Sequence, residues 1–253
     1  MIGLLAVAAI GVGAAILLAG PGAGAGFWTF RDGFSAYRTL ALPATVLGGL
    51  AFVGALVATF GLRAPRLAVF AVLGALVAGA GVGLTASLQN LVAANPFIHD
   101  ITTDMEDPPQ IVAAAGAERK NPPRYVGDDP VGDTGKTVAE AQIAAYPDVV
   151  PIILDADVET ATAKARAALD AMGLDVIAEG PAGPEAADGW RIEAVATTRW
   201  FKFKDDFIVR LRPAEEPGRT RIDVRSKSRI GGSDLGTNAK RIRAFSTKLQ
   251  AAA

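Results

Sequence analysis

Apolar residues fill the first third of the chain in three long runs that contain no charged side chain. These runs cover residues 1–20, 41–62 and 67–89. An apolar helix of roughly 20 residues is long enough to cross the hydrocarbon layer of a bilayer, where a helix satisfies its own backbone hydrogen bonds. The pattern therefore predicts a transmembrane region over residues 1–89 with three spanning helices. A cleaved signal peptide is the alternative for the first run, but this run lacks a basic start and is long for that role.

Small residues recur within two of these runs at helical spacing. The third run carries Ala71, Ala75, Gly79 and Gly83, and the first run carries Gly11, Ala15 and Ala19. Small side chains let helices approach closely in lipid, so these stripes are predicted to mediate helix contacts, within the bundle or with another membrane protein. The alternative is that they reflect only the richness of these runs in Ala and Gly.

Beyond the apolar runs, the chain first loses and then regains a regular pattern. Residues 90–147, called the strap below, are rich in Pro, Gly and Asp, which predicts an ordered but irregular segment. Residues 148–253 alternate with the periods of strands and helices. Strands are predicted at 150–154, 174–178, 191–201, 206–211 and 221–229, helices at 157–172 and 234–249, and a loop at 180–189.

These elements define a fold class. The order β-α-β-β-β-β-α, with strands that are apolar on one face and polar on the other, indicates an antiparallel sheet covered by helices. The prediction is an α+β protein in which a three-helix transmembrane segment precedes a two-layer sandwich.

Charge is distributed unevenly along the chain. Residues 90–190 carry a net charge of −12, and residues 191–253 carry a net charge of +8. Either the two halves fold together and neutralise each other, or a basic face is offered to an anionic partner. The sequence pI of about 5.9 argues against nucleic acid as that partner.

Cysteine and histidine usage limits the chemistry that is available. The chain has no cysteine and one histidine, His99. Disulfides, thiolate nucleophiles and sites built from several imidazoles are therefore excluded within one chain. A hydrogen-bonding role is expected for His99, which lies close to Asp100 and Asp104, and neither a metal nor a cofactor is predicted.

The segment after the last predicted strand is the best candidate for a binding site. Strand arginines, a glycine turn and a helix start follow one another, and backbone N–H groups at a helix start attract anions. The candidate anion-binding residues are Arg225, Arg229, Gly231, Gly232, Ser233 and Arg241. The alternative is structural, with ion pairs and helix capping by Asp205, Asp206, Asp223, Asp234 and Asn238.

Two adjacent carboxylates raise the possibility of catalysis. A hydrolase could use Asp205 or Asp206, either as a pair that shares one site or as a single carboxylate beside an arginine in a deep pocket. Neighbouring strand residues point to opposite faces, which disfavours a shared site and favours pairing with arginines.

Several motifs occur in an order that resembles a known family. They are IHDITTD at 98–104, AYPD at 145–148, IEA at 192–194, FKDD at 203–206, DVRSKSR at 223–229 and SDLGTNAKRI at 233–242. Together they resemble the family called domain of unknown function 1499, over about residues 97–250. The resemblance implies a domain of bacterial envelope and plastid-related proteins, with no known reaction.

These observations favour a membrane-tethered, non-catalytic envelope module. Its basic sheet face would bind a protein partner or an anionic group, and its helices would contact membrane lipids. An unfamiliar hydrolase and an assembly factor acting through the helix bundle are the alternatives. Arg31 and Arg38 in segment 21–40 lie on the side opposite Arg63 and Arg66, so the count of basic residues on the two sides is equal. The acidic segment 90–118 and the short, charge-dense turn of Arg63 and Arg66 then favour a bacterial inner-membrane protein with an extracytoplasmic soluble domain.

Overall fold

The computed structural model describes residues 1–183 and 189–251. The chain forms two compact units. The helical unit comprises Met1–Ala93 together with Arg199–Lys202, and the sheet unit comprises Ala94–Thr198 and Phe203–Ala253. The sheet unit therefore includes both the strap and the predicted domain of residues 148–253.

Three helices build the helical unit, as the apolar runs predict. They are α1 (Ile2–Gly24), α2 (Phe30–Leu56), which continues as a π-helical turn (Val57–Gly61), and α3 (Pro65–Ala94). All three are long and apolar enough to cross a membrane.

The start of α2 differs from the prediction, which placed it near residue 41. Thr29 and Asp32 form a capping box, in which the Thr29 hydroxyl accepts from Asp32 N at 3.3 Å and Thr29 N donates to the Asp32 carboxylate at 3.0 Å. This reciprocal capping satisfies amides at the helix start and allows the helix to begin at Phe30. Tyr37, which precedes the second uncharged run, is therefore helical.

The small residues at the helix contacts are only partly the predicted ones. In α3, Gly79 and Gly83 are exposed with open space around them. A spacing of four drifts around a helix of 3.6 residues per turn, whereas alternating steps of three and four stay on one face. The buried stripe of α3 accordingly comprises Ala68, Ala71, Gly74, Ala78, Gly81 and Thr85.

The sheet unit has the predicted α+β composition. Its elements are β1 (Asp100–Thr102), α4 (Val138–Ala145), β2 (Ile152–Leu154), α5 (Val158–Ala171), β3 (Asp175–Pro181), β4 (Trp190–Thr197), β5 (Lys204–Pro213), β6 (Thr220–Ser228) and α6 (Thr237–Ala251). The strands form one open sheet in the order β1-β6-β5-β4-β3, and β2 also pairs with β6. All pairings are antiparallel.

From β2 onwards the element order is the predicted β-α-β-β-β-β-α, and local signals explain most boundaries. Asp157 caps α5 as expected, because its carboxylate accepts from Thr160 N at 2.8 Å. Of the predicted loop 180–189, residues 184–188 lie outside the described residues.

The strap is less irregular than predicted. It contributes strand β1, and its helix α4 begins with a capping box between Thr137 and Glu140. Its first residues belong to the end of α3.

Helices α5 and α6 cover one face of the sheet, called the helix face. Phe207 of β5 meets Phe245 of α6 edge to face, with ring centroids 5.5 Å apart. One continuous cluster of buried apolar residues contains these rings, Val209 and Ile222 from the sheet, and Leu169 from α5. Burial of this cluster is the main force that holds the helices to the sheet.

The opposite face, called the charged face, carries alternate residues of β5 and β6. The register places Arg210 beside Asp223 and Ile208 beside Arg225. The strap covers this face, since Ile208 packs against Ile111 and Ala114. Both faces of the sheet are therefore covered.

Candidate functional site

A fully buried ion triad lies at the centre of the charged face. Arg225 donates to both carboxylate oxygens of Asp100, from Nε at 2.8 Å and from Nη2 at 2.9 Å. Lys227 Nζ donates to the same carboxylate at 2.8 Å. All three side chains are 0% exposed. Asp100 on β1 therefore balances part of the charge of two cations on β6.

The strap completes the hydrogen bonding of this triad. The remaining donors of Arg225 reach the carbonyl oxygens of Pro109 and Pro123, each at 3.1 Å. Lys227 also donates to the carbonyl of Arg124 at 2.8 Å. Buried charges are stable only when they are paired and hydrogen-bonded, so the triad and the strap hold each other in place.

The pKa values of Asp100 and Lys227 follow from this environment. Burial by itself would raise the pKa of Asp100, but hydrogen bonds and charge from Arg225 and Lys227 outweigh burial and hold that pKa below its ordinary value. Burial lowers the pKa of Lys227, and Asp100 offsets only part of this effect.

Two further ion clusters flank the triad on the charged face. Asp223, which is 0% exposed, forms ion pairs with Arg210, Arg212 and Arg221. Asp206 forms ion pairs with Arg119 and Arg229, with nitrogen–oxygen distances of 2.8 Å and 2.7 Å. The strap contributes Arg119 to the Asp206 cluster, and its Asp104 and Asp107 pair with the arginines around Asp223.

Glu193 of β4 binds the strap through backbone amides. Its carboxylate accepts the N–H groups of Val112, Ala113 and Ala114 at 3.0 to 3.2 Å. Arg191 adds an ion pair at 3.0 Å. A buried carboxylate thus fixes one turn of the strap.

This geometry corrects the hypothesis of a basic face open to an anionic partner. Arg225 is fully buried, and Arg229 has only 11% of its side chain exposed and pairs with Asp206. The interpretation that the acidic and basic halves neutralise each other describes this face.

The predicted anion site at the helix start is also absent from its expected place. Helix α6 begins at Thr237, after Leu235 and Gly236 adopt φ angles of 54° and 78°. The carboxylate of Asp234 accepts from Gly236 N at 2.9 Å and from Asn238 N at 2.8 Å. The Asp234 carboxylate thus occupies the backbone N–H groups that a bound anion would need.

The turn before α6 makes contacts within the sheet unit. The carbonyl of Gly231 accepts from the Asn121 side chain at 2.8 Å. The Gly232 carbonyl lies 3.4 Å from His99 Nδ1. Ser233 Oγ accepts from Leu235 N at 3.3 Å. These residues shape the turn and its contact with the strap.

Arg241 and Asp205 form a polar cluster on the helix face. Their ion pair measures 2.9 Å, and Arg241 also donates to Ser226 Oγ at 3.1 Å. Asn238 joins the cluster by donating to Ser228 Oγ at 3.1 Å. The cluster attaches the start of α6 to the start of β5 and the end of β6.

Asp205 and Asp206 lie on opposite faces, as strand geometry predicts. The first pairs with Arg241 on the helix face, and the second pairs with Arg119 and Arg229 on the charged face. Both residues are at most 2% exposed. The two carboxylates do not form a shared site.

Two titratable groups near the turn have shifted pKa values. Burial, with the charge of Asp205, raises the pKa of Asp234 to about 6. Burial, with the charge of Lys227, lowers the pKa of His99. Among the described residues, no group of three or more His, Asp or Glu is arranged to hold a metal ion.

A solvent-accessible cleft lies beside β2. Its volume is about 220 Å³. The lining residues are Asp148, Val149, Val150, Ile152, Ile242, Arg243, Ser246 and Thr247. Arg243 makes two hydrogen bonds of 2.6 Å to Asp148, and its guanidinium lies 5.3 Å from the centre of the Tyr146 ring. Hydrogen bonds from Arg243 lower the pKa of Asp148.

Sequence reasoning missed several central residues of this site. Asp100 lies in a segment predicted to be irregular, and the sequence predicts no role for Lys227. For Glu193 the sequence predicts pairing with an arginine, which Arg191 provides, but not its contact with the strap amides. The available signal is a carboxylate placed between the apolar residues Ile98 and Ile101, since charged residues that are fully buried are almost always paired.

The architecture defines a class of protein: a three-helix, membrane-compatible region joined to an α+β domain with an ionically attached strap. Residues 100–249 match the family described as Protein of unknown function (DUF1499), and the chain belongs to that family. A comparison with curated proteins gave no match.

Proposed function

We propose that the protein is a membrane-anchored, non-catalytic envelope module whose sheet unit binds a protein partner in the cleft beside β2. The observation that carries the proposal is that both sheet faces are covered, by α5 and α6 on one side and by the strap on the other. A partner therefore has access to the sheet edges and outer surfaces.

The edge at β3 is poorly suited to strand addition. The pairing of β3 with β4 shifts register between Val176 and Ala178, and β3 ends at Pro181. Glu179 of β3 is held by Arg166 from α5. Bulges, prolines and charges are the features by which edge strands avoid further pairing.

The edge at β2 offers a cleft lined by both apolar and polar side chains. Val150 is 55% exposed, and Ile152 and Ile242 line the same cleft. Arg243 and Asp148 form an ion pair whose side chains are 43% and 55% exposed, so solvent weakens it. An incoming carboxylate can replace Asp148 at low cost.

These features fit an extended segment of a protein partner. An apolar side chain of the segment would occupy the cleft, and a carboxylate would bind Arg243 through two hydrogen bonds. Backbone hydrogen bonds along β2 would supply further affinity, as in strand addition.

Photo-crosslinking in native membranes tests the proposal. A photoreactive residue in place of Val150 should give a discrete adduct that Arg243→Gln weakens. The same residue in place of Ile177, which is 46% exposed at the opposite edge, is the matched control. Equal adducts at both positions, or an adduct insensitive to Arg243, would refute binding in the cleft.

We further propose that the sheet unit lies outside the cytoplasm of a bacterial inner membrane. Three crossings place the turn with Arg63 and Arg66 on the opposite side from the sheet unit. Basic turns favour the cytoplasmic side. A reporter at the C-terminus that is active only outside the cytoplasm should be active, and an inactive reporter with full-length expression would reverse the topology.

A further inference from the structure

The connection between α2 and α3 has an unusual backbone. Helix α2 ends in the π-helical turn Val57–Gly61, and Ala64 N then donates to the Ala58 carbonyl at 2.8 Å. Between them, Arg63 adopts a φ of 51°. Side chains other than glycine adopt this left-handed conformation at an energetic cost, so the position would suit glycine better than arginine.

A cleft opens at this connection. Its volume is about 420 Å³, and it is lined by Thr59, Arg63, Pro65, Ala68 and Val69. The lining thus combines one guanidinium and one hydroxyl with an apolar surface. Val69 is 61% exposed, so the apolar side is accessible.

The positive charge at the cleft has no carboxylate partner within the helical unit. Asp32 is the single acidic residue of that unit, and it is engaged with Thr29 at the start of α2. Along the helix axis, Asp32 is about 40 Å from Thr59. Arg66 lies one residue beyond Pro65 and adds a second cation to the same connection.

The position of the cleft indicates where an anion comes from. Uncharged residues 41–62 and 67–89 flank the connection on both sides, which puts it at the end of two apolar spans. At that level of a bilayer, phosphate groups of lipids are the abundant anions.

We propose that this cleft binds the headgroup of an anionic phospholipid. Arg63 would hold the lipid phosphate through charge-assisted hydrogen bonds, for which a guanidinium has matching geometry. Pro65, Ala68 and Val69 would contact the glycerol and upper acyl carbons. The strained backbone at Arg63 is then retained because it directs a guanidinium to this cleft.

The proposal rests on membrane insertion of the three helices but not on any partner of the sheet unit. Native mass spectrometry of the full chain in a neutral detergent, titrated with phosphatidylglycerol or phosphatidylcholine, measures lipid retention. The wild type should retain at least one phosphatidylglycerol molecule in preference to phosphatidylcholine. Arg63→Gly should lower phosphatidylglycerol affinity about fivefold, the effect expected for one basic side chain at an anionic surface.

The variants separate lipid binding from folding. Arg63→Gly relieves the left-handed strain, so its melting temperature in phosphatidylcholine should match or exceed that of the wild type. The double variant Arg63→Gln and Arg66→Gln should lose affinity, whereas the charge-matched control Arg31→Gln and Arg38→Gln should not. Inorganic phosphate should not compete at concentrations equal to those of the lipid.

Three results would overturn the proposal. They are equal retention of the two lipids by the wild type, undiminished phosphatidylglycerol retention by Arg63→Gly, and an equal loss in the Arg31 and Arg38 control. None of these results would bear on the proposal that a protein partner binds the sheet unit in the cleft beside β2. A chain that is monodisperse in plain buffer would instead remove membrane insertion, and both proposals with it.

Discussion

The Asp100 carboxylate accepts two hydrogen bonds from the Arg225 guanidinium, although 125 residues separate them in the chain. The pair joins the beginning of the sheet unit to its last strand. Because both side chains are fully buried, each charge depends on its partner. The same contact closes the strap over the charged face and makes that face part of the interior.

Asp100→Asn should destabilise the sheet unit by about 3–5 kcal/mol, because Arg225 and Lys227 would remain buried without their counter-charge. Urea unfolding of the full chain in detergent, followed by hydrogen exchange of the β6 amides, measures the loss. Asp107→Asn is the control, since that carboxylate is 60% exposed and its pairs with Arg210 and Arg212 are screened. Asp107→Asn should lower the free energy of unfolding by less than about 1 kcal/mol. An equal loss of stability in the two variants would contradict the central role of the triad.

Glu193→Gln should loosen one turn of the strap. The carboxylate accepts three consecutive backbone N–H groups, and a glutamine side chain would direct its own N–H₂ group toward some of them. Hydrogen exchange at residues 112–114 should therefore accelerate, with a stability loss of about 1–3 kcal/mol. Glu179→Gln breaks a partly exposed pair with Arg166 and should leave exchange at residues 112–114 unchanged.

Gly13→Ala should disturb the helical unit. A Cβ atom at Gly13 would lie 2.5 Å from the Val77 carbonyl oxygen, so α1 and α3 would have to separate. The expected cost is about 1–3 kcal/mol, measured by thermal unfolding in detergent. Gly79→Ala is the matched control because no atom lies within 4 Å of its added Cβ. Similar destabilisation by both changes would contradict the observed packing.

The start of α6 should become less stable as the pH rises. The pKa of Asp234 is about 6 in the folded protein, against an ordinary value of 3.8. The folded state therefore favours the protonated form, and this contribution is complete below the ordinary value and lost as the pH rises through about 6. The difference between these two pKa values corresponds to about 3 kcal/mol of folding free energy.

Hydrogen exchange of α6 amides, corrected for intrinsic rates, should show more protection near pH 4 than near pH 7 in the wild type, relative to Asp234→Asn. The comparison with the variant isolates Asp234 from the oppositely directed effect of His99. Identical pH profiles for the two proteins would show that Asp234 does not control the start of α6.

Local signals were sufficient for most elements of the fold. Asp157 predicts the start of α5 because a cap acts within one turn. The alternation of Ile222 and Val224 with charged neighbours correctly separates the two faces of β6. Three uncharged runs likewise predict three helices, since burial in lipid depends on composition and length.

The environment of the charged face could not be predicted in the same way. A strand with Arg225 and Lys227 on one face has the same pattern whether that face meets water or a buried carboxylate. The partner, Asp100, is distant in sequence, and no periodicity connects the two positions. The start of α6 was placed too early for a related reason: Leu235 has a left-handed φ of 54°, which its residue type does not predict.

The contact between the strap and β6 also sets an order of events during synthesis. Asp100 leaves the ribosome long before Arg225 and Lys227, so the strap has no cations to enclose until the last strand is made. A nascent chain that stops before β6 should therefore expose the strap to proteases, whatever the state of the membrane helices. Closure of contacts so distant in sequence is slow, which makes this step a candidate for the rate-limiting event in maturation.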